Sequence, residues 1–451
     1  MAKPLNEREI VLGILMDVIE HDVYSHIALG NTLSKYQYLD KKERAFITRV
    51  TEGTLEHMLE IDYILDQFSK VKVKKMKPVI RNILRSAVYQ LKYMDSVPDS
   101  AVCNESVKLT VKKGFGPLKG FVNGVLRSTA RGLGGTEYPK DPVAELSVRY
   151  SMPEWILRKW LAEYDMDTVK KILTYFQKEK PVTVRCNTSR LTLEELVQRL
   201  RTEGVTVKSH PYLPYALSIA GYDYLGGLSS FREGLFAVQD ISSMLVGEIA
   251  SPEEGSYIMD VCAAPGGKSL HLAEKLNGTG HVEARDLTEY KTGLIQENID
   301  RMGLENISTV VQDAMVLDKA SMEKADIVIA DLPCSGLGVL GRKTDLKYKT
   351  TERRLEELAL LQRNILSVVC RYVKRSGTLI YSTCTINCTE NMENVQWFLK
   401  THPDYVLGSV QDKVCSRLQD AIQEEGCLQL LPGIHDSDGF FIARLIRKGA
   451  R

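Results

Sequence analysis

Tyr257-Ile-Met-Asp260-Val-Cys262-Ala263-Ala264-Pro265-Gly266-Gly267-Lys268-Ser269 decides the fold. A short apolar run closes on a carboxylate, two adjacent glycines follow, and residues 270–276 then carry apolar side chains at helical steps. The stretch reads as strand, turn and helix. Glycine lets backbone approach a ligand closely, and the first turn of a helix offers N–H groups without internal partners. Only two adjacent glycines precede Lys268, so the spacing fits neither GxxxxGK[ST] nor GxGxxG. ATP and NAD are disfavoured, whereas an adenine nucleoside without a triphosphate fits.

Downstream, short apolar segments alternate with helical ones. Residues 257–261, 281–285, 307–311, 326–330 and 378–382 are strand candidates, and helical periodicity fills 289–302 and 352–373 between them. This order requires crossover connections and hence a mostly parallel sheet in an open α/β domain. In such sheets ligands bind beyond the carboxyl ends of the strands, so the residue after each strand is a candidate. The second strand ends at Asp286, placed for ribose hydroxyls, and the third is followed by Asp313, placed for the adenine amine. Cys262, Ala263, Ala264, Pro265, Gly266, Gly267, Lys268, Asp286, Asp313 and Asp331 are therefore expected to line a nucleoside pocket. The fourth strand runs into Asp331-Leu-Pro-Cys334-Ser-Gly336 and the fifth into Ser382-Thr-Cys384. An isolated cysteine is usually a small buried hydrophobe, but two at the ends of adjacent strands point to chemistry.

The length of 451 residues suits about three domains. Residues 6–131 are helical in pattern, best seen in Val79, Ile80, Ile83, Leu84, Ala87, Val88 and Leu91, and residues 1–131 are expected to form an all-α bundle. Glycines and prolines between Gly132 and Pro142 mark a linker at 132–142. Residues 143–238 alternate helix and β-branched runs, as a small α+β domain would, and 239–451 form the α/β unit. Composition is 44% hydrophobic and 26% charged, which excludes wholesale disorder. The net charge of +1 supplies no global field, so a polyanion must be met by local patches. Lys70 to Lys77 with Arg81 and Arg85, and Lys108, Lys112, Lys113 and Lys119, are such patches for RNA phosphates; ordinary solvated helix faces are the alternative. The opening residues interrupt their apolar run with Glu9 and Asp17, leaving neither a secretory core nor a membrane span, and a cytoplasmic monomer is expected. Nine cysteines in such a chain should be thiols, and without a CxxC pair or a third and fourth ligand near Cys384 and Cys388 no metal is expected.

Together, Asp260-Val-Cys-Ala-Ala-Pro-Gly-Gly-Lys268, Asp331-Leu-Pro-Cys-Ser-Gly336 and Ser382-Thr-Cys384 resemble the S-adenosylmethionine-dependent RNA 5-methylcytosine methyltransferases of the RsmB/NOP family. Leu431-Pro-Gly433 and Asp438-Gly-Phe-Phe441 also look like this family, and Phe121-Val-Asn-Gly-Val-Leu-Arg127 is similar to a NusB-like RNA-binding domain. The RsmB branch joins that domain to this catalytic unit. The resemblance implies a NusB-like bundle, a ferredoxin-like middle domain and a Rossmann-like class I methyltransferase. It also implies methylation of 16S rRNA, by family precedent at cytosine 967. Two departures stand out: Leu332 replaces the family's usual alanine, and Cys388 stands where a proline is common.

The resemblance also implies roles. Cys384 is the nucleophile, Asp331 anchors the cytosine, and Cys334 assists release. DNA cytosine methyltransferases use the Pro-Cys cysteine as nucleophile instead, so Cys384 after the fifth strand points to RNA. The same catalytic unit acting on tRNA, and a non-catalytic antitermination-like RNA-binding factor, are the competing expectations.

Overall fold

In the computed structural model, which describes residues 6–449, the chain divides into two compact units. The first comprises Met1–Gln177 with Leu340–Thr350, and the second Lys178–Val339 with Thr351–Arg451. No described helix is long and apolar enough to cross a membrane.

The first unit is helical. Pro78–Tyr93 begins with proline at a position where a missing N–H costs nothing, and it buries Ile80, Ile83, Leu84, Ala87 and Val88 along the expected stripe. Asp40 starts Lys41–Glu56 with a capping box completed by Glu43. Helices Pro142–Arg149, Glu154–Glu163 and Met166–Phe176 belong to this unit too, and the boundary between compact units falls after Gln177. The buried Glu60 explains the attachment: its carboxylate accepts from Tyr138 at 2.6 Å and from Tyr93, and its N–H donates to Ser151 Oγ at 3.0 Å. Within the glycine-proline stretch, Leu133–Gly135 forms a 3₁₀ turn, and Gln67 holds the Glu137 backbone, donating to its carbonyl at 2.9 Å and accepting from its N–H at 3.3 Å.

Leu340–Thr350 is an excursion from the second unit's sequence into the first. Asp345 accepts from both the N–H (3.0 Å) and the Oγ (2.6 Å) of Ser25. Lys347 donates to the Glu56 carbonyl at 2.8 Å, and Lys349 to that of Val23 at 2.8 Å. The lysine patches are partly neutralised: Lys112 and Lys113 both pair with Glu9, Lys108 with Glu105 and Lys72 with Asp66. Lys70, Lys74 and Lys75 are exposed.

The second unit contains two sheets. Strands β1 (Val182–Cys186), β2 (Thr206–Ser209), β3 (Ala216–Ala220) and β4 (Phe236–Val238) form an antiparallel sheet in the order β2-β3-β1-β4. The larger sheet comprises β5 (Tyr257–Asp260), β6 (His281–Asp286), β7 (Ile307–Val311), β8 (Ala325–Asp331), β9 (Val373–Thr383), β10 (Tyr405–Leu407), β11 (Ile422–Glu424), β12 (Cys427–Leu430) and β13 (Phe440–Arg447). Its order is β11-β12-β13-β9-β8-β5-β6-β7, with β10 beside β13. From β9 to β7 every pairing is parallel, whereas β13 runs antiparallel to β9. The two sheets are tied together by Arg185 of β1, whose guanidinium is buried against Gln239 and Glu274.

The central strands are apolar on both faces, as parallel strands covered by helices must be. Ile258, Ile327, Ile329 and Ile380 join one core, while Met259, Val328, Ala330, Leu379 and Tyr381 join the core on the opposite face. The chain order reverses between β5 and β8, so the loops after these strands flank the position where such sheets bind ligands.

Beyond β8 and β9 the loops are locked by backbone. Gly338 donates to the Cys384 carbonyl at 3.1 Å, and Gly439 donates to the Gly338 carbonyl at 2.8 Å. A Cβ at 338 would overlap the Gly439 carbonyl and stand 2.9 Å from that of Cys384. Gly338→Ala should therefore destabilise the second unit by about 1–3 kcal/mol in denaturant unfolding. Gly293→Ala, in helix Glu289–Met302 with nothing within 4 Å of its Cβ, should be neutral or stabilising by up to ~1 kcal/mol.

Candidate active site

The turn after β5 leads into helix Gly267–Lys275, with Gly266 at φ +105° as its N-cap. A side chain at 266 would be strained in this conformation and would press on Ile295 at 3.2 Å, so the turn requires glycine. Asp286 ends β6 buried, accepting from the N–H groups of Ala264 at 2.9 Å and Leu287 at 2.7 Å, with Lys291 at 3.0 Å. The Gln312 N–H donates to the Asp286 carbonyl at 2.9 Å, which brings the tip of β7 beside that of β6. One Asp313 oxygen accepts from Met315 N–H at 2.9 Å. Leu287, 56% exposed, presents an apolar surface directly after Asp286. A required glycine turn, a carboxylate fixed beside it and an open apolar side chain fit the adenosine half of S-adenosylmethionine.

Across the reversal in strand order, Lys268 meets Asp331, a second residue of the expected pocket. Its Nζ donates to Asp331 Oδ2 at 2.6 Å and lies 5.3 Å from the centre of the Phe440 ring. Burial alone would lower the ammonium's proton affinity; the charges of Asp331 and Asp260 outweigh it, and the pKa is raised. Ser382 Oγ donates to the other Asp331 oxygen at 2.8 Å. Each oxygen retains a lone pair, so Asp331 is fixed yet able to accept further hydrogen bonds.

Cys334 and Cys384 meet with their sulfurs 3.1 Å apart. Both are half-buried, while Leu332, Ser335, Thr383 and Thr385 around them are buried. The Cys334 thiol is pushed well up, first by its hydrogen bond with Cys384 and then by burial. Cys262 is also pushed up, chiefly by burial and next by Asp260.

Both departures from the family pattern are accommodated. Leu332 is buried in the core and its N–H donates to the Ser382 carbonyl at 3.1 Å. Cys388 opens the short 3₁₀ turn Cys388–Glu390, which is closed by Glu390 N–H to Asn387 carbonyl at 3.1 Å and by Asn387 Nδ2 to Glu390 Oε1 at 3.0 Å. Hydrogen bonds hold this turn without the proline.

Two residues beside the site carry no sequence signal of their own: Glu390 and Gln362 are fully buried beside the Cys334 loop. Asp260, the carboxylate that closes the first strand, accepts from Ser269 at 2.6 Å.

Comparison with known proteins agrees with this geometry. Residues 248–446 match the model for the 16S rRNA methyltransferase RsmB/F, residues 5–131 the NusB family, and 152–222 the RsmF/B-like ferredoxin-like domain. The Bacillus subtilis probable ribosomal RNA small subunit methyltransferase B is 34% identical over 99% of this chain and 100% of its own. The corresponding Klebsiella pneumoniae protein is 28% identical, again over 99% and 100%. Among solved structures, PH0851 superposes with a TM-score of 0.83 at 25% identity, covering 98% of this chain and 99% of that one. NSun6 from Pyrococcus horikoshii with SFG shares the fold over 66% of this chain and 99% of its own, with a TM-score of 0.58 at 24% identity.

The second unit is thus that of an S-adenosylmethionine-dependent methyltransferase. With a full-length relative at 34% identity, the chain belongs to the ribosomal RNA small subunit methyltransferase B family, with its helical NusB domain, ferredoxin-like middle and catalytic sheet.

Burial pushes the Asp260 carboxyl up to about 7, with the Ser269 hydrogen bond opposing it. Below about pH 4 the group is protonated in folded and unfolded chains alike. As pH rises towards 7 the unfolded chain loses the proton first, so stability falls, and above 7 the penalty is constant. The stability of the wild type relative to Asp260→Asn should fall by roughly 3–4 kcal/mol between pH 4 and 7, read by urea unfolding across that range.

Proposed function

We propose that this protein methylates carbon 5 of a cytosine in 16S rRNA, by family precedent cytosine 967, through a transient bond between Cys384 and carbon 6. The observation that carries this reading is the meeting of the Cys334 and Cys384 sulfurs, 3.1 Å apart, beside the Lys268–Asp331 pair at the switch point of the sheet. The names of the full-length relatives, ribosomal RNA small subunit methyltransferases, favour rRNA as the substrate.

Carbon 5 of cytosine is too electron-poor to attack a sulfonium unaided. Addition of the Cys384 sulfur, as thiolate, to carbon 6 pushes electron density onto carbon 5. Asp331, clamped by Lys268 and Ser382, hydrogen-bonds the N3 and N4 edge, accepting from the N4 amino group and from N3 once that nitrogen carries a proton, which stabilises the electron density pushed into the ring. S-adenosylmethionine, when bound, supplies the electrophilic methyl. Asp286, Asp313 and the turn at residues 262–268 would hold its adenosine half. Transfer of the carbon 5 proton to solvent water then restores the ring double bond and expels the Cys384 thiolate, a step that Cys334 assists from beside the carbon–sulfur bond that breaks.

A base stacked in a helix hides carbon 6, so the target must be presented unstacked. The helical domain and the middle domain supply that presentation, with phosphate contacts from Lys70, Lys74 and Lys75.

Cys384→Ala should abolish both methyl transfer and the protein–RNA adduct. Cys334→Ala should slow turnover by roughly 10²–10⁴-fold while the adduct accumulates on denaturing gels. Tritiated-methyl transfer to unmodified 16S rRNA measures the first effect. An adduct in Cys384→Ala but not in Cys334→Ala would reverse the two roles.

A further inference from the structure

The two cysteines are not held alike. Cys384 directly follows β9 and inherits its position from the sheet. Cys334 lies three residues beyond β8, within a loop, and needs separate support. That support is a fully buried polar pair. Gln362, on helix Glu352–Val369, donates from Nε2 to the Pro333 carbonyl at 2.9 Å and to Glu390 Oε2 at 3.0 Å. The same Glu390 oxygen accepts the Ser335 N–H at 2.9 Å. The carbonyl just before Cys334 and the N–H just after it are therefore gripped by two side chains bonded to each other.

The pair is itself braced. Gln362 Oε1 accepts from Asn394 at 2.8 Å and from Tyr381 at 3.1 Å, and Glu390 Oε1 accepts from Asn387 at 3.0 Å. Three donors, from Ser335, Gln362 and Asn387, converge on the two Glu390 oxygens. A carboxylate satisfies them all, whereas a glutamine would set its NH₂ group against at least one. A buried charge is costly to desolvate, and its presence under a loop containing a half-buried thiol calls for more than packing.

We propose that Glu390 and Gln362 are positioning residues for Cys334, fixing the peptides on either side of it so that its sulfur stays against the Cys384–cytosine bond while that bond is broken. The proposal rests on the release role given to Cys334 above. It gives Glu390 and Gln362 no contact with RNA or cofactor.

The test separates formation of the adduct from its resolution. Wild type, Glu390→Gln, Gln362→Met, Cys334→Ala and the double variant Cys334→Ala/Glu390→Gln are each mixed with unmodified 16S rRNA and S-adenosylmethionine. Adduct formation and loss are followed on denaturing gels, and cofactor binding is measured as the check on folding. Glu390→Gln and Gln362→Met should form the adduct at the wild-type rate and release it roughly 10²-fold more slowly, as Cys334→Ala does. The double variant should release no more slowly than Cys334→Ala alone, because the effect passes through Cys334. Normal release in both single variants, with Cys334→Ala stalled, overturns this inference alone. If Cys334→Ala itself releases normally, the role of Cys334 fails and the inference with it. If Glu390→Gln does not bind cofactor, Gln362→Met decides, and loss of binding in both marks the pair as structural and refutes the positioning role.

Discussion

The site depends on the register between two neighbouring parallel strands. Asp331 at the end of β8 stands opposite Ser382 near the end of β9, and the Leu332 N–H extends the ladder by bonding the Ser382 carbonyl at 3.1 Å. From that pairing follow the Ser382–Asp331 hydrogen bond and the emergence of Cys334 and Cys384 over the same edge of the sheet. A slip of one residue would turn every side chain on β9 to the other face, sending Tyr381 into the wrong core and Ser382 away from Asp331. Ile380 and Tyr381 belong to cores on opposite faces, which penalises such a slip heavily.

On this frame the electrostatics are local. Two carboxylates, Asp260 and Asp331, and one ammonium, Lys268, share the space beneath the thiols. Lys268 goes to Asp331, while Asp260, fully buried with Ser269, is left holding its proton to near neutrality. Asp331 is consequently held from both sides, by Lys268 and Ser382. The lysine that closes the glycine turn after β5 thus connects that turn to the end of β8.

Much of this was legible in the sequence, for a physical reason. Parallel strands buried on both faces appear as short continuous apolar runs, and all five expected strands and the helix Glu289–Met302 are found where the pattern placed them, with ends shifted by five residues at most. The antiparallel β10–β13 were not read: β10, β11 and β12 are brief and separated by loops and 3₁₀ turns, and the eight-residue β13 breaks its apolar run with Arg444 and Arg447, although the Asp438-Gly-Phe-Phe441 motif marks its start. Lys268 and Asp331 were both read as pocket residues from separate motifs, but the hydrogen bond between them, across 63 positions, became evident only with the sheet folded. Glu390 and Gln362 were invisible because they act on backbone groups of another segment, a relation that sequence spacing does not encode. The basic patches were visible as composition, but Glu9 and Glu105, which partner three of those lysines, became evident only with the helices packed.

The central claim is that the Cys384 sulfur bonds to carbon 6 of the target cytosine. Replacing the target with 5-fluorocytosine in a synthetic 16S rRNA fragment removes the carbon 5 proton whose loss would release the enzyme. After incubation with S-adenosylmethionine, proteolysis and mass spectrometry of the trapped complex identify the linked residue. The account predicts the modified nucleotide on the peptide containing Cys384, with Cys334 unmodified; a nucleotide on Cys334, or no covalent complex with a methylation-competent enzyme, would contradict it.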